Sequence, residues 1–266
     1  MKPPKPPKLI VIAGPTASGK TSLGVDLALK FNGEIISADS RQVYKGLDIG
    51  SGKVTPGETK GIPHHLIDIL NPEEKYSVYK FQKHCLNLIQ DISSRGKIPI
   101  IVGGTGLYIE SVVEQYQFPR FNSMLKFNRK SKKKGLRPDT LVLNLNPKRD
   151  QIKHNIQKRL LERWNNPDPE KNMKIEVQSL INSGVSKLWL KSLGLEYKFI
   201  TQLLEGELDK TSSPGSDPEQ VMLTKLNTEI WRFAKRQITF LKRWYYAHQI
   251  QKKKEADSLV EAFLSN

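Results

Sequence analysis

Apolar positions along the chain fall into two rhythms that take turns. Runs with little polar alternation, Leu9-Ile10-Val11-Ile12-Ala13, Glu34-Ile35-Ile36-Ser37-Ala38, Ile98-Pro99-Ile100-Ile101-Val102 and Thr140-Leu141-Val142-Leu143-Asn144-Leu145, predict strands covered on both faces, as in a parallel sheet. Between them the spacing changes to three and four. Leu23, Leu27 and Phe31 mark one helix, and Val78, Phe81, Cys85, Leu88 and Ile92 mark another that Ser77 can cap. A further helix follows Tyr108, and from Lys148 onward Ile152, Ile156, Leu160 and Trp164 fall on one face. Asn165 to Pro169 breaks that helix, and Met173, Val177, Leu180 and Ile181 begin a short one closed by Gly184. After Ser212-Ser213-Pro214-Gly215-Ser216-Asp217-Pro218 comes a helix with a buried stripe of Leu226, Ile230, Phe233, Ala234, Ile238 and Leu241. Strand and helix in alternation predict an α/β fold: a doubly wound parallel sheet with helices on both faces, then an α-helical C-terminal part over 148–266, all within one domain.

One stretch fixes chemistry as well as shape. Gly14-Pro15-Thr16-Ala17-Ser18-Gly19-Lys20-Thr21 lies between the first strand and the first helix, the context that a phosphate-cradling P-loop requires. Its glycines let backbone N–H groups converge on one anion, Lys20 adds a point charge, and Thr21 offers a hydroxyl to Mg²⁺. Kinases, NTPases and transferases with a diphosphate leaving group all fit this loop. At the end of the second strand stands Asp39, where an open α/β sheet forms its ligand crevice. That residue reads equally as a catalytic carboxylate and as the cap of a helix starting at Ser40. A P-loop ATPase commonly holds its metal with an Asp after a later strand, whereas Gly103 and Gly104 stand after Val102 here. His64-His65 has no acidic or cysteine partner at ligand spacing, so hydrogen-bonding histidines are expected.

Charge narrows the partner. The 266 residues carry a formal charge of +16, an excess that suits a polyanion better than a small metabolite. Part of it lies between Arg120 and Pro138, where Lys126, Arg129, Lys130, Lys132, Lys133, Lys134 and Arg137 occur without an acidic residue: a solvated loop or a docking arm for phosphates. More sits on the last long helix, where Arg232, Lys235, Arg236, Lys242 and Arg243 mix with Trp231, Phe240, Trp244 and Tyr245, a composition suited to a flipped base and its flanking phosphates. The single Cys85 falls at an apolar helical position and reads as core in a reducing compartment. With no apolar run of membrane length and a basic, proline-rich start over 1–8, a cytoplasmic protein without membrane attachment is expected.

Taken together these stretches resemble the tRNA dimethylallyltransferase family, also called tRNA isopentenyltransferase. The likeness rests on Gly14 to Thr21, Ile36 to Tyr44, His64-His65-Leu66-Ile67-Asp68, Pro99 to Tyr108, and Ala234-Lys235-Arg236-Gln237-Ile238-Thr239. It implies transfer of a dimethylallyl group from dimethylallyl diphosphate, with Mg²⁺, to N6 of adenosine in a tRNA anticodon stem-loop, by a chain expected to act as a monomer. Gly14, Pro15, Thr16, Ala17, Ser18, Gly19, Lys20 and Thr21 would hold the diphosphate, with Thr21 on the metal. Asp39 would take the proton from the amine, Lys20 would assist, and Thr105 would line the reaction channel. Ser40, Arg41 and Gln42, with Lys235, Arg236, Gln237, Ile238, Thr239, Phe240, Leu241 and Lys242, would contact tRNA alongside Asp39. The chain departs from the family at a shortened basic insertion over 120–138 and at Asn155, Phe240 and Lys242, where the family has Arg, Trp and Arg.

Overall fold

In a computed structural model that describes residues 6–118, 132–207, 215 and 217–265, the chain forms β1 (Leu9–Ala13), α1 (Lys20–Lys30), β2 (Gly33–Ala38), α2 (Pro56–Thr59), β3 (His64–His65), α3 (Val78–Ser94), β4 (Ile98–Gly103) and α4 (Gly106–Val113). A short ribbon of β5 (Tyr116–Gln117) and β6 (Lys132–Lys133) leads to β7 (Thr140–Leu145) and α5 (Arg149–Trp164). Helices α6 (Met173–Asn182), α7 (Lys187–Ser192), α8 (Leu195–Leu204) and α9 (Pro218–Leu241) follow, then β8 (His248–Ile250) and α10 (Lys253–Ser265). The main sheet runs β3-β2-β4-β1-β7-β8, and every pairing in it is parallel.

Alternation along buried strands builds the two sides of this sheet. Val11, Ile36, Ile101 and Val142 face α3 and α4 in one cluster, while Ile10, Ile12, Ile35, Ile100 and Leu143 face α1 and α10 in the other. A third cluster joins α5, α6, α8 and α9 to Val43, Tyr44 and Leu47, so the helical C-terminal part is packed onto the segment that follows β2. Chain order reverses between β4 and β1, and a crevice must therefore open at the carboxyl ends of β1, β2 and β4.

The expected strands and helices all form, with instructive differences in detail. Leu88 is only half-buried, and Ile89 fills the core in its place. Phe233 leaves the buried stripe of α9 for the crevice, whereas Trp244 is 2% exposed and packs inside instead of facing outward. Helices α7, α8 and α10 and strand β8 are additions to the expected elements; α8 and α10 do carry apolar residues at helical spacing, at Tyr197, Ile200 and Leu204 and at Ala256, Val260 and Phe263, whereas α7 and β8 are too short to show a period. No helix of the described residues is long and apolar enough to cross a membrane.

The basic stretch over 120–138 is described only from Lys132. There Lys133 bonds Glu110 and Glu114, and Arg137, 9% exposed, donates to the carbonyls of Pro7 and Pro138 and to Thr140 Oγ1. These two cations close the ribbon onto the domain and are not available as a docking arm. Lys126, Arg129 and Lys130 lie outside the described residues, as do Met1 to Lys5 of the basic start; Lys8 donates to the carbonyls of Phe263 and Leu264 at the end of α10.

Candidate active site

Three strand-end segments meet in one cavity. Thr16, Lys20 and Thr21 arrive from the loop after β1, Asp39 to Gln42 from β2, and Gly103 and Thr105 from β4. Close approach of these segments depends on glycine: a Cβ at Gly103 would lie 2.2 Å from the Ala38 carbonyl oxygen, and one at Gly14 would lie 2.7 Å from the Leu145 carbonyl oxygen and 2.8 Å from Ser18 Oγ. Thr105 ties the ends together, its N–H donating to the Ala38 carbonyl at 3.2 Å and its hydroxyl accepting from the Ser40 N–H at 3.2 Å.

Helix starts differ in how they are capped. Thr55, Ser77, Asn172, Ser186 and Asp217 each accept a backbone N–H at the start of α2, α3, α6, α7 and α9. Helices α1, α4, α5 and α8 start at Gly19, Thr105, Lys148 and Gly194 with no side-chain cap, and residues from the starts of α1, α4 and α8, though not of α5, line the cavity. At α1, Gly19 adopts φ 89°, a left-handed conformation that leaves the first N–H groups of the helix uncovered. Those groups and the positive end of the helix dipole suit an anion.

Lys20 and Asp39 face this space together. Burial pushes the Lys20 ammonium down to about 8, opposed by the nearby Asp39 carboxylate and reinforced by Arg159. Asp39 also answers the question its sequence left open. No helix starts at Ser40; the carboxylate instead accepts from the N–H of Arg41 at 2.9 Å and of Gln42 at 3.5 Å, closing a tight turn with Asp39 on the cavity wall.

The helical layer supplies the opposite wall. Arg159 and Arg163, one turn apart on α5, enter beside Gly52, where a Cβ would sit 2.9 Å and 2.8 Å from their guanidinium nitrogens. Burial first, and then the neighbouring Arg163 charge, pulls Arg159 down to about 10. Leu195 and Glu196 from α8 and Ile230, Phe233 and Gln237 from α9 complete the lining. Of these, Gln237 is expected from the resemblance to contact tRNA and Phe233 from its spacing to lie in the helix core, whereas Ile230, 6% exposed, keeps its expected core position while bordering the cavity; Arg159 and Arg163 are cavity residues that the sequence reading did not single out. Their spacing of four on one helix face was the signal available.

Several residues expected to contact tRNA turn inward. Arg41 bonds Glu196 at 3.2 Å and the Leu193 carbonyl at 2.6 Å and lies over the Phe233 ring; Gln42 accepts from Ser37 and donates to the Gly52 carbonyl. Ile238 and Leu241 are 7% and 1% exposed and hold α9 to the core, which takes their side chains out of any RNA contact. Phe240 packs on Gly106 with the Arg243 guanidinium 4.0 Å from its ring centre. Ser40, Lys235, Arg236, Thr239 and Lys242 remain exposed. Within the Gly14–Thr21 loop, Gly14, Pro15, Ala17 and Ser18 are buried and shape it from behind.

His64 Nδ1 bonds the Ile62 carbonyl while its Nε2 is buried without a partner, His65 bonds Glu34, and among the described residues no group of three His, Cys, Asp or Glu could hold a metal. The donors that remain for a cation are the Thr21 hydroxyl and the Asp39 carboxylate, both hard oxygens on the cavity wall. Such a pair suits Mg²⁺ bound mainly through substrate phosphates and water.

Comparison with known proteins agrees with this geometry. The family described as IPP transferase matches residues 42–134 and 121–244. A tRNA dimethylallyltransferase 2 of Shewanella sediminis is 36% identical over 282 residues, covering 88% of this chain and 89% of that protein, and the Caldanaerobacter subterraneus tRNA dimethylallyltransferase is 33% identical over 321 residues, covering 97% and 98%. The Carboxydothermus hydrogenoformans tRNA dimethylallyltransferase is 64% identical over 115 residues, which span 43% of this chain and 37% of that protein. In structure, the tRNA isopentenylpyrophosphate transferase of Bacillus halodurans superposes with a TM-score of 0.79 at 27% identity, covering 97% of each chain. That of Staphylococcus epidermidis gives 0.78 at 30% identity, covering 98% of this chain and 100% of its own. With the family model matching from residue 42 to residue 244 and relatives at 33% and 36% identity aligned over most of both chains, this chain belongs to the IPP transferase family.

Proposed function

We propose that this protein transfers a dimethylallyl group from dimethylallyl diphosphate to N6 of the adenosine beside the anticodon of tRNA. The observation that carries this reading is the meeting, in one cavity, of an uncapped helix start with Lys20 on one wall and the Asp39 carboxylate on another. Diphosphate would rest on the Gly14–Thr21 loop, with Arg159 and Arg163 from the helical wall supplying counter-charge. Thr21 would help hold Mg²⁺, which when bound neutralises charge on the departing diphosphate, and the Asp39 carboxylate is left to take the proton.

An adenine amine is a weak nucleophile, since its lone pair is drawn into the ring. As the bond from N6 to the allylic carbon forms, the carbon–oxygen bond to diphosphate breaks and the N6 proton passes to the Asp39 carboxylate. Lys20, the backbone N–H groups of the loop and the α1 dipole stabilise the charge that develops on the leaving group. Phe233 and Ile230 give the cavity an apolar side for the prenyl chain or the base. Exposed Lys235, Arg236 and Lys242 would meet phosphates of the RNA.

The test is incubation of the protein with dimethylallyl diphosphate, Mg²⁺ and unmodified tRNA, followed by mass spectrometry of digested nucleosides. N6-dimethylallyladenosine beside the anticodon is the expected product. Its absence at saturating donor, or phosphate transfer from ATP in its place, rejects the reading.

A further inference from the structure

The Gly14–Thr21 loop does not hold its shape alone. At Thr16 the backbone N–H donates 2.8 Å to Gln237 Oε1, and the other end of the same amide, Nε2, donates 3.0 Å to the Gly104 carbonyl. One residue later the Ala17 carbonyl accepts from Asn155 Nδ2 at 3.1 Å, and Asn155 Oδ1 in turn accepts from Gln151 Nε2 at 2.9 Å. Ala17 sits at φ 59°, a left-handed conformation that an alanine adopts at a cost and keeps only where its surroundings hold it. Two amides from two different helices, α9 and α5, thus grip adjacent peptides at the bend of the loop.

We infer that Gln237 is a positioning residue for the diphosphate site, setting the loop after β1 against the loop after β4, and is not a tRNA contact. This rests on the diphosphate reading given above. Its geometry argues against an outward role. Each polar atom of the Gln237 side chain already holds a bond, Oε1 to the first loop and Nε2 to the second, so the amide is oriented by the loops and turned toward them. Its neighbours show the alternation: Lys235 and Arg236 are exposed, Gln237 is half-buried and lines the cavity, Ile238 is buried, and Thr239 is exposed again. Gly104 is shaped for this amide, because a Cβ there would come within 2.5 Å of Gln237 Nε2. What the amide fixes is the separation between Lys20, carried by the first loop, and Thr105, carried by the second. A few tenths of an ångström there change how a diphosphate fits, since preorganised donors work only at their set distance.

Inorganic diphosphate with Mg²⁺ is the probe, because its binding needs neither RNA nor turnover. Calorimetry on the whole chain compares the wild type with Gln237→Met, which removes both bonds at similar volume, and with Gly104→Ala, which pushes the amide away from the opposite side. Each is expected to weaken diphosphate binding about tenfold, the size of one misaligned anion-site contact, and to raise KM for the donor more than it lowers kcat. Combining the two should cost little more than either alone, since both break one link. Affinity for an anticodon stem-loop RNA, and its salt dependence, should stay at the wild-type value. Should RNA affinity fall while diphosphate binding holds, Gln237 is an RNA contact and the inference is overturned. Loss of active fraction with an unchanged KM also overturns it, since that is what a purely structural side chain would give, and Gly104→Ala supplies the same readout if Gln237→Met does not fold. A wild type that ignores diphosphate altogether would instead strike at the reading on which the inference rests.

Discussion

The strand-end half of the cavity and its helical half do comparable work by different means. Residues at the ends of β1, β2 and β4 act largely through backbone: glycines permit contacts that a Cβ would forbid, and helix starts are left without caps. The helical layer acts through side chains sent across from α5, α8 and α9, namely Arg159, Arg163, Glu196, Phe233 and Gln237. Backbone geometry tolerates little change in sequence, whereas a side chain can arrive from several positions on a helix.

The most damaging way to probe the strand-end half is at Asp39. Asp39→Asn keeps the side-chain oxygen that accepts from Arg41 and Gln42, so the turn should survive while the proton acceptor is lost. Turnover is expected to fall about 10³-fold with little change in melting temperature, the range for a missing general base. A variant that retained turnover would move catalysis away from this carboxylate.

Lys20 comes next, and here function and stability should part. Holding an ammonium inside the protein lowers its basicity from 10.5 to about 8, so the folded state is penalised whenever that lysine is charged. Between pH 8 and 10.5 the unfolded chain binds the proton that the folded chain has released, and stability gains with rising pH across that window. Lys20→Met should therefore melt higher than the wild type at pH 7, with the gap closing toward pH 10.5, while kcat falls about 10²-fold. Diphosphate affinity of the wild type should weaken above about pH 8 as the ammonium is lost. A melting temperature lowered by the substitution would show that the buried charge is not a cost.

On the helical side, Arg159→Gln tests whether that wall shares the anion. It removes a guanidinium crowded by Arg163, so the fold should tolerate it, and the KM for the prenyl donor should rise about tenfold. An unchanged KM would confine diphosphate to the strand-end half.

This division explains what could be read from the letters alone. The sheet was legible because strands buried on both faces appear as unbroken apolar runs, and the loop because few residues other than glycine allow its bends. Asp39 was half legible: its place after β2 pointed to the crevice, but its turn-closing bonds with Arg41 and Gln42 depend on a chain path that does not continue as a helix. Phe233 was misassigned since a residue at the margin of an apolar stripe meets either a core or a cavity, and only the neighbouring elements decide which. Gln237 was placed on RNA because a polar residue among cations resembles its neighbours. That its amide reaches two loops more than 100 positions away in the chain is a tertiary fact. Strand β8, three residues of which two are exposed, had no local signal to offer.

The mildest effects belong to the outer face of α9, and they divide that helix most finely. Lys235, Arg236 and Lys242 are exposed, while Ile238 and Leu241 are buried within the same turns. Replacing Lys235 or Lys242 by Ala should weaken RNA binding a few-fold and lower the slope of log affinity against log salt by about 0.7 to 1, because each phosphate neutralised releases its own counterions. The melting temperature should not move, since neither side chain is placed in an ion pair among the described residues. Leu241→Ala should do the reverse: a cavity costing about 2–5 kcal/mol of stability, with the salt slope intact. If the lysine variants left that slope unchanged, the RNA would have to lie across another face, and the division of α9 into an outer side for RNA and an inner side for the site would no longer hold.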